Sequence, residues 1–169
     1  MIELLILYSL NTRERTIYSL RSDIIEKFGY FTKPSIGTIH PALKRLLKTG
    51  VVTSRTDYSE GGKKSTYWAP ALHWQKKFND MFFTPLSENP TNFFTEIQTR
   101  IAVMSLLDKD LQQTFKEDIL IKLESFLLDL KNALEDEYSS FDKYQQALLK
   151  KNISDLENYK TFINNLEED

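Results

Sequence analysis

The side chains best suited to chemistry in this 169-residue chain are cations gathered in one segment, KPSIGTIHPALKRLLKTG, residues 33–50. Drawn as a helix, the segment carries small residues and then cations along one arc: Gly37, Thr38, Pro41, Lys44, Arg45 and Lys48. The opposite arc is apolar and predicts the buried face: Ile36, Ile39, Leu43, Leu46 and Leu47. Small side chains allow close approach to base edges, while Lys and Arg pair with phosphates. The segment therefore predicts a helix that enters the major groove of DNA.

A solvated surface is the alternative interpretation of a basic helix face. Nucleic acid is favoured because a second basic pair, Lys63 and Lys64, stands at the tip of a predicted β-hairpin. Such a hairpin can lie along the DNA backbone or in the minor groove, where cations are attracted. Lys33 and Ser35 begin the basic segment, and the helix N-terminus adds amide donors and a dipole that favour phosphate.

Pro41 is unusual within a predicted helix because it lacks an N–H group. It is tolerated if the regular helix begins at Thr38, since first-turn N–H groups have no helical partner anyway. A mild kink at the proline is the alternative.

Catalytic motifs are lacking in the sequence. It has two histidines, His40 and His73, no cysteine, no phosphate-binding glycine loop and no supported Ser-His-Asp arrangement. Adjacent carboxylates such as Glu117 and Asp118 diverge around a helix rather than converge. We therefore expect no enzyme activity, no metal site and no cofactor.

An aromatic cluster follows the hairpin and continues beyond the next linker: Trp74, Phe78, Phe82 and Phe93. A pocket for a small aromatic effector at this domain junction is one interpretation, because ligand sites favour such junctions. Ordinary core packing of aromatic residues at helical spacing is the other.

Hydrophobic periodicity and turn residues indicate the elements that position the basic residues. Short helices are predicted over residues 2–10, 18–28 and 35–49, the last two stopping at glycine. The β-branched and aromatic stretches 51–58 and 63–69 flank SEGG and predict a hairpin whose glycines adopt positive φ. Three helices followed by a β-hairpin form a winged helix-turn-helix.

The second half has a different composition. Residues 91–169 contain neither glycine nor proline and predict nearly continuous helix. We place a boundary at TPLSENP, residues 84–90, between a DNA-binding domain over 1–84 and a helical domain over 85–169. The predicted fold class is mainly α, a winged helix-turn-helix followed by an all-helical domain for dimerisation, which is also a candidate for effector binding.

Apolar stripes at three- and four-residue spacing mark the helices of the second half, and Asp108 is placed to cap the second of them. The stripes contain these residues: Phe93, Ile97, Ile101 and Met104, then Ile119, Leu120, Leu123, Phe126, Leu127, Leu130 and Leu134, then Phe141, Tyr144, Leu148, Ile153, Leu156, Tyr159, Ile163 and Leu166. Stripes of this width predict a homodimer whose arms pack in coiled-coil fashion. An intramolecular three-helix bundle would also bury them.

Charge is divided between the halves. Residues 1–80 hold 13 Lys and Arg against 7 Asp and Glu, whereas residues 81–169 hold 9 against 17. The first half thus suits a polyanion and the second would repel one. The apolar N-terminus, MIELLILYSL, contains Glu3 and predicts a helix of the fold rather than a signal peptide. No apolar run reaches membrane-spanning length, and the absence of cysteine suits the reducing cytoplasm, where we expect the protein.

The segment FGYFTKPSIGTIHPALKRLLKTGVVTS, with the following SEGGKKSTYW, resembles the N-terminal domain of the PadR family of bacterial transcriptional regulators. Family-like positions are Phe28, Gly29, Pro34, Ser35, Gly37, Thr38, Ile39, Pro41, Leu43, Arg45, Leu46, Gly50, Glu60, Gly61, Gly62 and Tyr67, with Tyr18 and Leu20 upstream. Ile17 departs from a usual glycine and His40 from a usual tyrosine. The resemblance covers about residues 1–75, and the second half matches only in being helical.

The resemblance implies a homodimer, joined through its C-terminal helices, that binds a partly palindromic operator, usually as a repressor. Some relatives respond to phenolic acids and others to planar drugs, so a small-molecule effector is implied without its class. The predicted DNA contacts are Tyr18, Lys33, Ser35, Thr38, His40, Lys44, Arg45, Lys48, Lys63 and Lys64. A winged-helix module for protein interaction, without operator binding, is the alternative function.

His40 has two interpretations. It lies at the edge of the apolar arc beside Leu47 and packs near the DNA-facing surface, or it hydrogen-bonds a phosphate or base. In the second case, protonation of His40 would make DNA binding depend on pH.

Overall fold

The computed structural model describes residues 1–58, 60, 62–136 and 140–166, and it forms two compact units, Met1–Leu106 and Leu107–Asp169. The first unit contains these elements in order: α1 (Ile2–Leu10), β1 (Arg15–Thr16), α2 (Ile17–Phe28), α3 (Ile36–Lys48), β2 (Val52–Tyr58), β3 (Lys64–Pro70), α4 (Trp74–Phe82), α5 (Pro90–Val103) and a short 3-10 helix, Met104–Leu106. The second contains α6 (Lys109–Glu135) and α7 (Lys143–Asn164). The predicted fold class, mainly helical with a winged helix-turn-helix, is confirmed.

The compact units divide the chain later than the predicted domains do. Helix α5 belongs to the first unit, whereas the predicted functional boundary lay at residues 84–85. The assignment of DNA binding to residues 1–84 and of dimerisation to residues 85–169 stays a prediction.

The three N-terminal helices lie within one residue of their predicted ends. Helix α1 is apolar around almost its whole circumference, and its neighbours cover it: Leu4, Leu5, Ile6, Leu7 and Leu10 are buried. Helix α2 begins at the Thr16 cap, whose hydroxyl accepts the Ser19 amide at 3.3 Å. Helix α3 ends where Gly50 takes a φ of 70° and the Val51 amide donates back to the Leu46 carbonyl at 2.9 Å. Glycine suits this left-handed position because it has no Cβ.

A buried ionic network joins α1, β1 and α2. Arg15 Nη2 lies 2.7 Å from Asp23 Oδ1, and Arg15 Nε donates to the Ser9 carbonyl at 2.9 Å. The Ser9 hydroxyl and Lys27 Nζ both donate to Asp23 Oδ2. Because Arg15 and Asp23 are almost fully buried, each needs the other to offset the loss of water.

The predicted hairpin is confirmed as β2 and β3, which pair antiparallel from Val52 opposite Pro70 to Tyr58 opposite Lys64. Gly62 in its turn has a φ of 73°, whereas Ser59 and Gly61 lie outside the described residues. Strand β1 was not predicted; it pairs with β3 on the other side, so the sheet order is β1-β3-β2. This sheet is the wing, as the name is used below.

Helices α4 and α5 complete the first unit. The Asn89 side chain caps α5 by accepting the Asn92 amide at 3.2 Å. The predicted stripe of this segment is confirmed at Phe93 and Ile97, which are fully buried. No boundaries were predicted for α4, although its aromatic spacing was noted as helical.

The second unit is a helical hairpin. Along α6, Lys116 donates to the carbonyl of Leu166 just beyond α7, Glu124 pairs with Lys160 of α7, and Lys131 pairs with Glu157 of α7. The helices are therefore antiparallel. Asp108 caps α6, as predicted, with its carboxylate accepting the Leu111 amide at 2.9 Å. Within its described residues, this unit by itself holds two helices rather than the three of the alternative bundle.

Candidate nucleic-acid interface

Helix α3 is held by a buried face that differs slightly from the predicted one. Ile39, Leu43 and Leu46 are buried as predicted, and Ala42 joins them. Leu47, assigned to the core, is 41% exposed, so that prediction is wrong. The buried arc is centred between Ile39 and Leu46, which places Leu47 about 90° away at an angular step of about 100° per residue.

The start of α3 decides between the two readings of Pro41. Ser35 is the N-cap: its hydroxyl accepts the Thr38 amide at 3.2 Å, and its carbonyl accepts the amides of Thr38 and Ile39 at 3.0 Å. The helix thus begins at Ile36, and a regular helix starting at Thr38 is wrong. Pro41 is its sixth residue, so the Gly37 carbonyl loses its usual donor four residues later.

Among the described residues, Gly37 has open space around its Cα. A Cβ at this position would meet the Ser35 hydroxyl at 3.5 Å, an ordinary contact. Glycine inside a helix costs about 0.5–1 kcal/mol relative to alanine. Internal packing therefore does not explain the glycine, whose bare backbone lies exposed beside Thr38 on the outer face.

The three cations of α3 differ in their surroundings. Lys44 and Lys48 are exposed, and the described residues place no counter-ion against either of them. Arg45 is also exposed, but its guanidinium binds Glu3 of α1: Nε lies 3.1 Å from Oε1, and Nη2 contacts the same oxygen. Lys44 and Lys48 are thus available to an anion, whereas Arg45 is already paired.

The Glu3 carboxyl responds to two opposing effects. Partial burial acts to raise the pKa of Glu3, but the Arg45 hydrogen bond, a backbone hydrogen bond and nearby positive charge together outweigh it. The net pKa lies below the ordinary value for glutamate, so the pair is ionic at neutral pH.

The remaining predicted residues of the helix-turn-helix are exposed. Tyr18 projects from the first turn of α2 and is 73% exposed. Lys33 lies in the loop before α3, whose path is held because Arg21 Nε donates to the Pro34 carbonyl at 3.1 Å. His40 is exposed on α3, on the same helix as Thr38.

The wing adds further exposed cations. Lys63 and Lys64 are exposed at the start of β3, next to the hairpin turn. Arg55 of β2, which sequence reasoning missed, lies over the Tyr67 ring at 4.7 Å and binds Glu14 and Asp57. These hydrogen bonds raise the pKa of Arg55. The charge of Arg55 is therefore neutralised locally by two carboxylates.

The predicted aromatic cluster is a set of core side chains in this structure. Trp74, Phe78 and Phe82 lie along one face of α4 and are buried, with successive ring centroids 5.7 and 5.8 Å apart. Phe93 of α5 is fully buried as well. Binding of an effector to these residues stays a prediction.

The described residues contain no group of three or more His, Cys, Asp or Glu arranged to hold a metal ion. None of the helices in the described part of the chain is both long enough and apolar enough to span a membrane.

Comparison with known proteins finds similarity to one family. The model of the transcriptional regulator PadR-like family matches residues 6–69. A Bacillus subtilis PadR structure solved with operator DNA is 21% identical, with a TM-score of 0.47, over 97% of this chain and 96% of that one. The smu.1604c protein of Streptococcus mutans is 19% identical, with a TM-score of 0.43, over 96% and 95%. A B. subtilis PadR structure with p-coumaric acid is 22% identical, with a TM-score of 0.41, over 96% and 91%. No curated protein sequence matched the chain.

Proposed function

We propose that this chain is a homodimeric repressor that binds a partly palindromic operator, because its residues 6–69 match the model of the transcriptional regulator PadR-like family. The observation that carries the proposal is the outer face of α3. There an unexplained glycine, a small polar residue and two lysines without a counter-ion among the described residues share one exposed surface. Such a regulator acts in the cytoplasm of a bacterium.

The outer face of α3 suits the major groove in both size and charge. Gly37 and Thr38 leave little bulk on the first turn, which lets that turn approach base edges. Lys44 and Lys48 follow one and a half to three turns later and are placed for phosphates. We therefore assign discrimination between sequences to Ser35 and Thr38, and affinity for any DNA to the two lysines.

The flanks of the helix-turn-helix extend the proposed contact surface. Tyr18, Lys33 and His40 are exposed around α2 and α3, and Lys63 and Lys64 are exposed on the wing. Lysine contacts to phosphate release counter-ions, so each contributes to the salt dependence of binding. Arg45 contributes least in the resting state because Glu3 already holds it.

The decisive experiment compares two double variants in a gel-shift titration on the gene's own upstream DNA. Lys44→Ala/Lys48→Ala should weaken binding at least tenfold and flatten the dependence on salt by about two counter-ions. Lys76→Ala/Lys77→Ala is the matched control: it removes the same charge from exposed positions on α4, outside the helix-turn-helix and wing. Equal, weak binding by all three proteins at every salt concentration would contradict the proposal and favour a protein-interaction module.

Dimerisation is proposed for the second unit because its hairpin leaves large apolar side chains exposed. Ile121 and Leu128 lie on the side of α6 opposite its buried residues, at 70% and 60% exposure. Tyr144 and Leu148 lie exposed in the first half of α7. A second copy of the hairpin would cover these side chains with matching ones.

Sedimentation velocity tests the dimer. Leu148→Glu places a charge on the exposed stripe and should shift the protein towards monomer, because burying an unpaired carboxylate is costly. Asn158→Glu adds the same charge elsewhere on the exposed surface of α7 and should leave the dimer intact. A wild-type chain that sediments as a monomer at every concentration would rule the dimer out.

A small-molecule effector is proposed to release the protein from its operator. Trp74, which packs against Phe78, reports on the aromatic cluster by its fluorescence, provided that the other tryptophan is removed by Trp68→Phe. Aromatic acids and planar drugs are the compounds to titrate. An effector should quench Trp74 and release DNA over the same concentration range.

A further inference from the structure

The segment between α2 and α3, residues 29–35, leads into the first turn of α3. Its first part stays close to α2, because the amides of Phe31 and Thr32 donate to the Phe28 carbonyl at 3.1 and 2.9 Å. Its last part, residues 33–35, belongs to neither a helix nor a strand. Regular secondary structure therefore does not fix the position at which α3 begins.

Arg21 of α2 contacts this last part of the segment. Its Nε donates to the Pro34 carbonyl at 3.1 Å, across 13 positions of the chain. Pro34 is buried, and its ring holds φ at about −65°. The hydrogen bond orients the carbonyl and so restrains ψ, the other soft dihedral of Pro34. The peptide group between Pro34 and Ser35 is thus held by the proline ring and by Arg21.

Ser35, which follows this peptide group, is bonded to the residue with which it shares the proposed reading of bases. Its hydroxyl accepts the Thr38 amide at 3.2 Å and lies 3.1 Å from the Thr38 hydroxyl. The two hydroxyls are therefore oriented as a pair. A rotation of the peptide group before Ser35 would displace its hydroxyl and break both contacts with Thr38.

Arg21 does not belong to the core of the first unit. The buried residues of α2 are Leu20, Asp23, Ile24 and Phe28. Arg21 is exposed, and it lies on the same face of α2 as the exposed Tyr18, three residues earlier. Its contact with Pro34 is therefore made at the surface, on the side of α2 that carries a proposed DNA contact.

We propose that Arg21 is a positioning residue for operator discrimination: through the Pro34 carbonyl, it holds the start of α3 so that Ser35 and Thr38 meet the bases in one orientation. The inference rests on the proposed DNA binding by α3. Hydrogen bonds to base edges depend on geometry, whereas the flexible lysines that contact phosphate tolerate small displacements. Loss of the Arg21 hydrogen bond should therefore lower discrimination more than it lowers affinity for DNA of any sequence.

Arg21→Lys separates the hydrogen bond from the charge, because lysine keeps the charge and places a methylene where arginine carries Nε. Gel-shift titrations compare the gene's own upstream DNA with a scrambled fragment of the same length and composition. We expect the ratio of the two affinities to fall about three- to tenfold in Arg21→Lys, as for the loss of one hydrogen bond. The affinity for the scrambled fragment and its salt dependence should stay unchanged. A ratio equal to that of the wild type would overturn the proposal.

Two further variants complete the comparison. Arg21→Ala also removes the hydrogen bond, so the ratio should fall as far as in Arg21→Lys. Arg13→Lys is the matched control, since it makes the same exchange at an exposed position between α1 and β1, outside the helix-turn-helix. An equal fall of the ratio in Arg13→Lys would contradict the assignment. Circular dichroism establishes that each variant is folded.

NMR spectra in the absence of DNA separate this inference from the proposed function. The carbonyl carbon of Pro34 and the amide of Thr38 should change their chemical shifts in both Arg21 variants and keep them in Arg13→Lys, because only the former lose the donor to Pro34. An unchanged Pro34 resonance would overturn the positioning role. If the wild type does not discriminate between the two DNA fragments, the proposed function fails by itself, and the Pro34 resonance still decides whether Arg21 holds the start of α3.

Discussion

Helix α1 of the first unit is buried on almost every side, whereas the first half of α7 in the second unit is almost wholly exposed. The contrast does not follow from apolar content alone, because α7 also carries an apolar stripe, including the exposed Tyr144 and Leu148. The first unit surrounds its apolar helix with four other helices and a sheet. The second has one partner for each helix, so it can cover only one side. A self-contained core thus carries the proposed DNA-binding surface, and an incomplete one belongs to the unit for which we propose dimerisation.

The charges of the two regions differ in the same way. In the first unit, Arg15 and Asp23 are buried and depend on each other. In the second, pairs such as Lys131 with Glu157, 3.2 Å apart, lie at the surface, where solvent screens them. We therefore expect the loss of one charge to lower the stability of the first unit strongly and that of the second unit only weakly.

The largest expected effect comes from Asp23→Ala, which leaves Arg15 buried without its counter-charge. We expect the free energy of unfolding to fall by about 3–5 kcal/mol in a urea titration. Asp80→Ala is the control, because Asp80 is exposed and lies 3.8 Å from Lys77; its cost should stay below about 1 kcal/mol. Similar losses in both variants would remove the distinction between buried and exposed charge.

Two neighbouring leucines of α6 test the difference between the buried side and the exposed side of the second unit. Leu127 is 3% exposed and Leu128 is 60% exposed. Leu127→Ala should lower the free energy of unfolding by about 2–5 kcal/mol at any protein concentration. Leu128→Ala should instead raise the dimer dissociation constant, measured by sedimentation equilibrium, and make the melting temperature depend less steeply on concentration. An unchanged dissociation constant would exclude this side of α6 from the interface.

Two helix caps offer a comparison in which the expected loss of stability is smaller. Ser35 caps α3, and Asp142 caps α7, where its carboxylate accepts the Tyr144 and Gln145 amides at 2.7 and 2.9 Å. Ser35→Ala and Asp142→Ala should each cost about 1 kcal/mol. We expect only Ser35→Ala to weaken DNA binding as well. A comparable loss of DNA affinity in Asp142→Ala would show that DNA binding does not belong to the first unit alone.

The smallest effect concerns pH. Because the pKa of Glu3 is lower in the folded chain than its ordinary value of 4.5, ionised Glu3 adds stability above that value. The contribution is lost as pH falls from 4.5 through the folded pKa, and it should stay below about 1 kcal/mol. Urea titrations of the wild type and Glu3→Gln between about pH 6 and 3 should converge at the acid end. A constant difference across this interval would exclude the ionic contribution.

Local patterns predicted much of the fold. The ends of α1, α2 and α3, the hairpin and the Asp108 cap each depend on residues within a few positions of one another. Gly50 and Pro41 were both recognisable in the sequence as possible helix breakers, but only Gly50 lies at the end of a helix. Helix α3 starts at Ile36, so it places Pro41 in its second turn and runs through it.

Features that depend on distant residues were not predictable. The Arg45 pair with Glu3 spans 42 positions, and the Arg55 pair with Glu14 spans 41. Strand β1 has two residues, too few to show an alternating pattern. Leu47 was misplaced because a helical wheel gives relative angles, while the direction of the core is set by the elements packed against it.

Arg15 contacts both the wing and the helices of the first unit. Its backbone pairs with Trp68 of the wing, while its side chain is locked to α1 and α2 by Ser9 and Asp23. Arg15 therefore fastens the wing to the helices, which fixes the spacing between the lysines of the hairpin and those of α3 in the free protein. A surface that is preorganised in this way loses little conformational entropy on association. On the proposed function, the buried Arg15 therefore supports DNA affinity by holding the wing in place rather than by a contact of its own.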